Sequence, residues 1–308
     1  MEYKLLSWNI NFIHDNWLQR LNNINKILEK ELEDCDIITL QEATLPFSNT
    51  IETIHGFLKK TDMDYLMTSL FKDEKLNLYK KIREYFPKKK AKMTFVMEYL
   101  MNTLMWICGY IYSIWGERLK QIYFNHPYIY LIICILCPPI FLGSWFFFGM
   151  LTLAKKNAVQ LKSKYIGRRI IQYIETKINE RDTIVVNIHL SPGDSDILKE
   201  QRLDEIKEIY DLVKEKDISI LMGDFNDVET SEVYKFLIEN GYKSCMVEKN
   251  GSNINTYPCE NPDKCIDFIM YKGENICVKH AELFGTKEES DHKGIKVTLE
   301  VTDGTVEN

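Results

Sequence analysis

The hydrophobic pattern divides the chain into a frame of short apolar runs and a middle of much longer ones. Residues 3–10 are mostly apolar and predict a buried strand. Trp17, Leu21, Ile24 and Leu28 then recur at helical spacing, with Asp15 or Asn16 in place to cap the helix. DIITLQ at 36–41 predicts the next strand. Beyond the middle, TIVVNIHL at 183–190 predicts a strand, and Leu198, Ile206, Ile209 and Val213 predict a helix over 197–215. A strand at 218–222, a short helix at 231–239, a strand at 266–271 and a last strand at 294–301 complete the frame. Alternating strands and helices predict an α/β domain whose strands come from both halves of the chain.

The middle reads differently. Residues 95–115 carry one charge, Glu98, and residues 128–148 carry none. Each run approaches the roughly 20 apolar residues needed to cross a bilayer core. A buried helix of a soluble domain normally keeps one polar face, which these runs lack. Lys-rich flanks precede the pair (Lys80, Lys81, Arg83, Lys88, Lys89, Lys90, Lys92) and basic residues follow it (Lys155, Lys156, Lys162, Lys164, Arg168, Arg169). Two spans with basic outer flanks predict a hairpin whose ends face the cytoplasm. Pro138-Pro139 would break a helix in the second run, so a re-entrant or interfacial hairpin is the alternative.

Charge follows the same division. The 308-residue chain has a net charge of −6, but residues 72–169 hold 17 Lys and Arg against 5 Asp and Glu, a net of +12 that leaves −18 for the rest. This excludes a globally basic nucleic-acid binder and suggests two parts with different partners. MEYKLLSWNI lacks the basic and then apolar regions of a secretory signal, so the eight cysteines are expected to stay reduced. Cys259 and Cys265 lack the paired spacing of a zinc site.

Polar residues gather at the strand tips. Asn9 ends the first strand, Glu42 follows the second, His189 ends TIVVNIHL, and Asp224 and Asn226 follow ISILM. Asp267 opens IDFIMY, and Asp291 and His292 precede the last strand. If the last two strands run antiparallel to their neighbours, these sites share one rim, where α/β scaffolds carry chemistry. Singly, each has an ordinary structural reading, as a turn residue, a solvated carboxylate or a satisfied histidine. Jointly, hard oxygen donors suit magnesium, and histidines beside carboxylates suit proton transfer. No Cys or Ser stands in a nucleophile motif, so the set points to water attacking a phosphoric ester.

The ordered motifs Ser7-Trp8-Asn9, Leu40-Gln41-Glu42, Asn187-Ile188-His189-Leu190, Gly223-Asp224-Phe225-Asn226, Ile266-Asp267-Phe268-Ile269 and Ser290-Asp291-His292 resemble the endonuclease/exonuclease/phosphatase superfamily. That family spans deoxyribonucleases, repair exonucleases, inositol-polyphosphate 5-phosphatases and neutral sphingomyelinases. The resemblance implies a four-layered α/β sandwich of two packed mixed sheets flanked by helices, here interrupted by the hydrophobic hairpin. It implies that Glu42, Asn9 and Asp291 bind Mg²⁺, with Mn²⁺ as the alternative ion. It makes His292 the general base and Asp267 the carboxylate that orients it. Asp224 and Asn226 would hold the attacking water, the phosphate or a second metal, and His189 would contact the scissile phosphate. The resemblance also implies family strands at 148–154 and 168–178. Residues 1–70 and 146–308 then form the catalytic domain and 71–145 the insertion. Deoxyribonuclease-like members pair the histidine matched by His189 with a Glu. The corresponding strand here offers Arg168 and Arg169 instead, with Glu175 farther along.

The leading expectation is a membrane-associated, Mg²⁺-dependent hydrolase of a lipid or lipid headgroup, sphingomyelinase-like, with its catalytic domain facing the cytoplasm. Membrane lipid and a phosphoester substrate are the expected partners. The alternatives are a metal-dependent nuclease acting on DNA or RNA, and an inactive membrane scaffold.

Overall fold

The computed structural model describes residues 1–11, 17–43, 63–68, 150–155, 160–167 and 169–302. Two six-stranded mixed sheets pack face to face with helices outside them, an α/β sandwich. The first sheet holds β1 (Glu2–Asn9), β2 (Ile37–Gln41), β3 (Met63–Thr68), β4 (Met150–Lys155), β11 (Ile276–Phe284) and β12 (Gly294–Val301), in the order β11-β12-β1-β2-β4-β3. The second holds β5 (Gln160–Ile166), β6 (Arg169–Ile178), β7 (Arg181–His189), β8 (Ile218–Asp224), β9 (Lys243–Ser244) and β10 (Asp267–Lys272), in the order β5-β6-β7-β8-β10-β9.

Helix α1 (Trp17–Asp34) covers the first sheet, with Ile24, Leu28 and Leu32 packed on Leu6, Trp8, Ile38 and Leu40. On the second sheet, α2 (Asp196–Val213) and α3 (Glu232–Glu239) bury Ile206, Ile209 and Leu237 against Val186, Ile188 and Leu221. A short α4 (Cys245–Asn250) follows β9. The alternation of side chains along each strand supplies one face for the helices and one for the gap between the sheets.

The gap itself changes character from end to end. Leu5, Ile37, Ile174, Val185, Met222, Ile269 and Val297 make an apolar core there. Two residues further along their strands, the same face presents Ser7 and Asn9, Thr39 and Gln41, Asn187 and His189, and Asp224. These polar groups are buried, and burial is tolerated where each finds partners. Gln41 Nε2 donates to Asn187 Oδ1 across the gap at 2.8 Å, Asn187 Nδ2 donates to Thr152 Oγ1 at 3.1 Å, and Thr152 Oγ1 donates to Gln172 Oε1 at 2.6 Å.

The strands expected from the sequence appear with shifts of one or two residues, including those at 148–154 and 168–178 that the family resemblance implied. The candidate spans 95–115 and 128–148, and the expected insertion 71–145, lie outside the described residues, as do the expected caps Asp15 and Asn16. Among the described residues no helix is long and apolar enough to cross a membrane. Strands β3 and β4 are the described elements before and after the expected insertion. Thr68 at the end of β3 is paired with Met150 at the start of β4, and Met150 is paired with Gln41. The chain therefore leaves and returns at neighbouring positions on the rim that carries Glu42.

Strand β11 escaped the sequence pattern. A register shift between Val278 and His280 puts its buried residues Val278 and Ala281 three apart, which hides the period of two.

Gly223 is required by close packing. It has φ +146, and a Cβ there would lie 1.9 Å from the Ile188 carbonyl oxygen of the neighbouring strand. Gly223→Ala should therefore destabilise the fold by roughly 3 kcal/mol through overlap and strain. Urea denaturation measures this, and an unchanged midpoint would contradict the close packing of β7 on β8.

Candidate active site

Antiparallel pairing brings the strand starts and strand ends together. β10 runs against β8 so that Asp267 is the register partner of Asp224, and β8 runs along β7 so that His189 neighbours Asp224. β12 runs against β1, which brings the segment Ser290–His292 beside Asn9. Ser290 Oγ donates to the Asn9 carbonyl at 2.6 Å, and Trp8 Nε1 donates to the His292 carbonyl at 3.1 Å.

At the centre is the pair His292 and Asp267. His292 Nδ1 lies 2.9 Å and 3.2 Å from the two Asp267 oxygens, and Thr256 Oγ1 donates to Asp267 Oδ2 at 2.6 Å. A carboxylate facing Nδ1 fixes the tautomer that carries the proton there, which leaves Nε2 as the other working nitrogen. Nε2 lies 4.0 Å from Asp224 Oδ2, and the Tyr257 ring packs 4.7 Å from the imidazole.

Asp224 links the two sheets. Its Oδ2 accepts from Asn9 Nδ2 at 2.9 Å and its Oδ1 accepts from the Asn226 backbone N–H at 2.7 Å. Asn226 adopts φ +50 and donates its Nδ2 to the Leu190 carbonyl. His189 Nε2 sits 3.7 Å from Asp224 Oδ2 and 3.8 Å from Glu42 Oε1. Glu42 itself has φ +49, a left-handed conformation that costs a non-glycine residue about 1 kcal/mol.

The electrostatics follow from burial and crowding of like charges. Burial pushes the Asp224 carboxyl upward, and the Asp267 charge adds to the effect against the opposing pull of His292. For His292, burial favours the neutral ring, but Asp267, Asp224 and Asp291 together outweigh it and raise its pKa to about 10.

The structure thus joins Glu42, His189, Asp224, Asn9, Asn226, His292 and Asp267 into one continuous cluster, with Asp291 adjacent to His292. The sequence predicts the metal on Glu42, Asn9 and Asp291, whereas among the described residues Asp224, Asp267 and His292 form a His-carboxylate group with ligand atoms within 4.8 Å of one another. The hydrogen bonds distinguish the two sets. Asp267 and Asp224 already spend their oxygens on Thr256, His292, Asn9 and Asn226. Asp291 Oδ1 is buried with no hydrogen-bond partner among the described residues. An unpartnered buried carboxylate oxygen fits a Mg²⁺ or Mn²⁺ ligand. In the described conformation Asn9 Oδ1 accepts from the Asn11 N–H, a bond that ligation would have to share or replace.

Sequence reasoning missed the partners that hold these groups. Thr256 carried no motif, and Arg169 and Arg202 are known as site supports only once β6 and α2 are in place. Arg169 stands on β6 where a Glu partner for His189 was expected; among the described residues, Glu42 and Asp224 bring carboxylates near its ring.

The sequence profile described as the Endonuclease/Exonuclease/phosphatase family matches residues 6–292, from within β1 to His292. Among solved structures, a family protein from Bacteroides vulgatus is similar at 15% identity, covering 98% of this chain and 100% of its own with a TM-score of 0.59. One from Leptotrichia buccalis shares 15% identity over 97% of this chain and 99% of its own, with a TM-score of 0.56. D. rerio TDP2 complexed with single strand DNA product shares 14% identity over 97% and 99%, with a TM-score of 0.55. At these identities the likeness shows the fold alone. No curated protein matches the sequence significantly.

A prediction follows for the metal-free protein. His292 has an ordinary value of 6.5 and is raised to about 10 in the fold, so its stabilising contribution is complete below about 6.5 and is lost as pH rises toward 10. Asp267→Asn removes the main opposing charge, so the His292 pKa should fall and that alkaline loss should shrink. Urea midpoints between pH 6 and 10 in chelator would show it; an identical pH profile in the variant would refute the assignment of Asp267 as the dominant partner.

Proposed function

The chain belongs to the endonuclease/exonuclease/phosphatase family, and on that premise we propose that it hydrolyses phosphoric esters with His292 as general base and a divalent cation beside it. Members of the family are in general metal-dependent hydrolases of phosphoester bonds. The observation that carries the reading is the His292–Asp267 pair, whose Nε2 lies 4.0 Å from Asp224, together with the buried, unpartnered oxygen of Asp291.

In this mechanism Glu42, Asn9 and Asp291 would hold Mg²⁺. A cation there would counter the carboxylate charge that otherwise favours the protonated His292 ring, and it would offset negative charge developing on the phosphoryl oxygens. Asp224 and Asn226 orient the attacking water and the phosphate. His292 Nε2 takes one proton of that water as its oxygen bonds to phosphorus, and Asp267 stabilises the resulting imidazolium. The ester P–O bond breaks with its electron pair on the leaving oxygen, which then takes a proton. His189 donates to the phosphoryl group from its position between Glu42 and Asp224.

The substrate reading is a membrane lipid or lipid headgroup, sphingomyelinase-like. It is supported by the apolar runs at 95–115 and 128–148 and by their basic flanks, which attract anionic headgroups by about 1 kcal/mol per residue. It is also supported by the pairing of Gln41, Met150 and Thr68, because the insertion joins the frame on the same rim as the site. In this reading residues 1–70 and 146–308 are the catalytic domain, facing the cytoplasm, and 71–145 hold it at the bilayer. A nuclease is the second reading, favoured by the single-stranded DNA product described with D. rerio TDP2, a protein of the same fold.

The full chain in detergent with Mg²⁺ should release phosphate or phosphocholine from a lipid panel. Chelator should abolish this, and Mn²⁺ should restore it. Cleavage of DNA or RNA with every lipid left intact would transfer the assignment to the nuclease. Glu42→Ala and His292→Ala should each lower turnover by roughly 10²–10⁴-fold with the fold retained by circular dichroism. Near-normal rates in both would remove the proposed site, and no turnover of any substrate by the unaltered protein would favour an inactive scaffold. Joining residue 71 to 146 should leave a folded domain, since Thr68 and Met150 are already neighbours; a chain that aggregates without a cooperative transition would contradict a modular insertion.

A further inference from the structure

The segment that leaves β7 after His189 is packed through Leu190, which is buried in the core, and is also held by charge. Arg169 Nε donates to the His189 carbonyl at 2.9 Å, and Arg169 Nη2 donates to the Leu190 carbonyl at 2.7 Å. Arg202, from α2, donates through Nη1 to the Ser191 carbonyl at 3.0 Å and the Gly193 carbonyl at 2.6 Å. Both arginines are buried, at 5% and 1% exposure. Arg202 Nε also pairs with Asp227 at 3.0 Å, next to Asn226, so one side chain ties the β7 exit to the β8 exit. Glu205 adds bonds to the Ser191 N–H and hydroxyl at 2.9 Å and 2.6 Å.

Four carbonyls of a five-residue segment are thus anchored on two guanidinium groups, and the fifth residue is Pro192. Burying a guanidinium is costly unless its donors are used, so this concentration at the exit of the His189 strand is informative. We propose that Arg169 and Arg202 are positioning residues that fix the β7 exit and so hold the His189 imidazole between Glu42 and Asp224. The kinetic part of this inference rests on the phosphoesterase reading; the structural part does not. Arg169 stands on the strand where the family resemblance implied a Glu partner for His189, and it acts on the backbone of that residue instead of its ring. Lysine keeps the charge but has no planar fork to reach two carbonyls.

The test uses the full chain with Arg169→Lys and Arg202→Lys. With Mg²⁺ and bis-p-nitrophenyl phosphate, each variant should lose roughly tenfold or more in kcat while KM stays within about threefold, as expected when a reacting group is displaced. In histidine-labelled protein at fixed pH, the His189 ring signal, identified with His189→Gln, should move while that of exposed His280 does not. A kcat within about twofold of the unaltered protein, together with an unmoved His189 signal, overturns the proposal. So does a rise in KM alone. If neither variant folds, amide exchange in the unaltered protein decides. Leu190 and Ser191 should exchange only with global unfolding, as expected also of buried Val185, and rapid local exchange there overturns the brace. If the unaltered protein cleaves no phosphoester, the functional reading fails, while the ring signal and the exchange rates still judge the two arginines.

Discussion

Two hydrogen bonds across the sandwich, Asn9 to Asp224 and His292 to Asp267, join side chains that come from opposite sheets. Neither sheet carries the cluster alone. The first contributes Asn9, Glu42, Asp291 and His292, and the second His189, Asp224, Asn226 and Asp267. The distance between the sheets therefore sets the geometry of the site. That distance is fixed at the far end by interdigitated aliphatic side chains such as Leu5, Val185 and Met222, and at the near end by amide bridges such as Gln41 to Asn187.

The two ends oppose each other energetically. An apolar gap would be the stable choice along its whole length, since each buried polar group must recover in hydrogen bonds what it loses in hydration. The rim instead concentrates carboxylates whose mutual repulsion is strengthened by burial. Such a cluster survives because the apolar half and the outer helix-sheet cores hold the sheets together regardless. Buried cations also share the load. Arg169 and Arg202 place positive charge behind the rim, and Arg20 of α1 donates to the carbonyls of Ile10, Asn11 and Glu289, which flank Asn9 and Asp291. The left-handed backbone at Glu42 is a smaller strain of the same kind, concentrated where its carboxylate must turn toward His189.

Much of this was legible in the sequence, for definite reasons. The core strands β1, β2, β7, β8 and β10 are apolar runs because both faces are buried, and α1 and α2 show helical spacing because one face meets a sheet. The site residues stand out because each interrupts an apolar run at its tip. Edge strands gave weaker signals. β5 alternates with Lys162 and Lys164 in solvent, and the bulge in β11 breaks its period. The supports of the site were illegible because they depend on tertiary placement. Thr256 resembles any loop threonine until it reaches Asp267, and Arg202 resembles any helical surface arginine until α2 packs it beneath the β7 exit.

The same geometry separates the reaction from the choice of substrate. In the proposed mechanism water activation needs only the rim cluster, and nothing in that cluster distinguishes a lipid phosphodiester from a nucleotide one. Selection must come from what borders the rim. The proposed insertion would be such a border, because Thr68 and Met150, the described residues before and after it, lie two strands and one strand away from β2, which leads into Glu42. A segment rooted there cannot dock on a surface without also determining what that surface offers to the site. An equally apolar insertion rooted at the opposite end, between Lys4 and Asp36 for instance, would anchor the protein yet point the cluster away. In the proposed membrane-bound reading, the location of the insertion, more than its hydrophobicity, would couple attachment to catalysis.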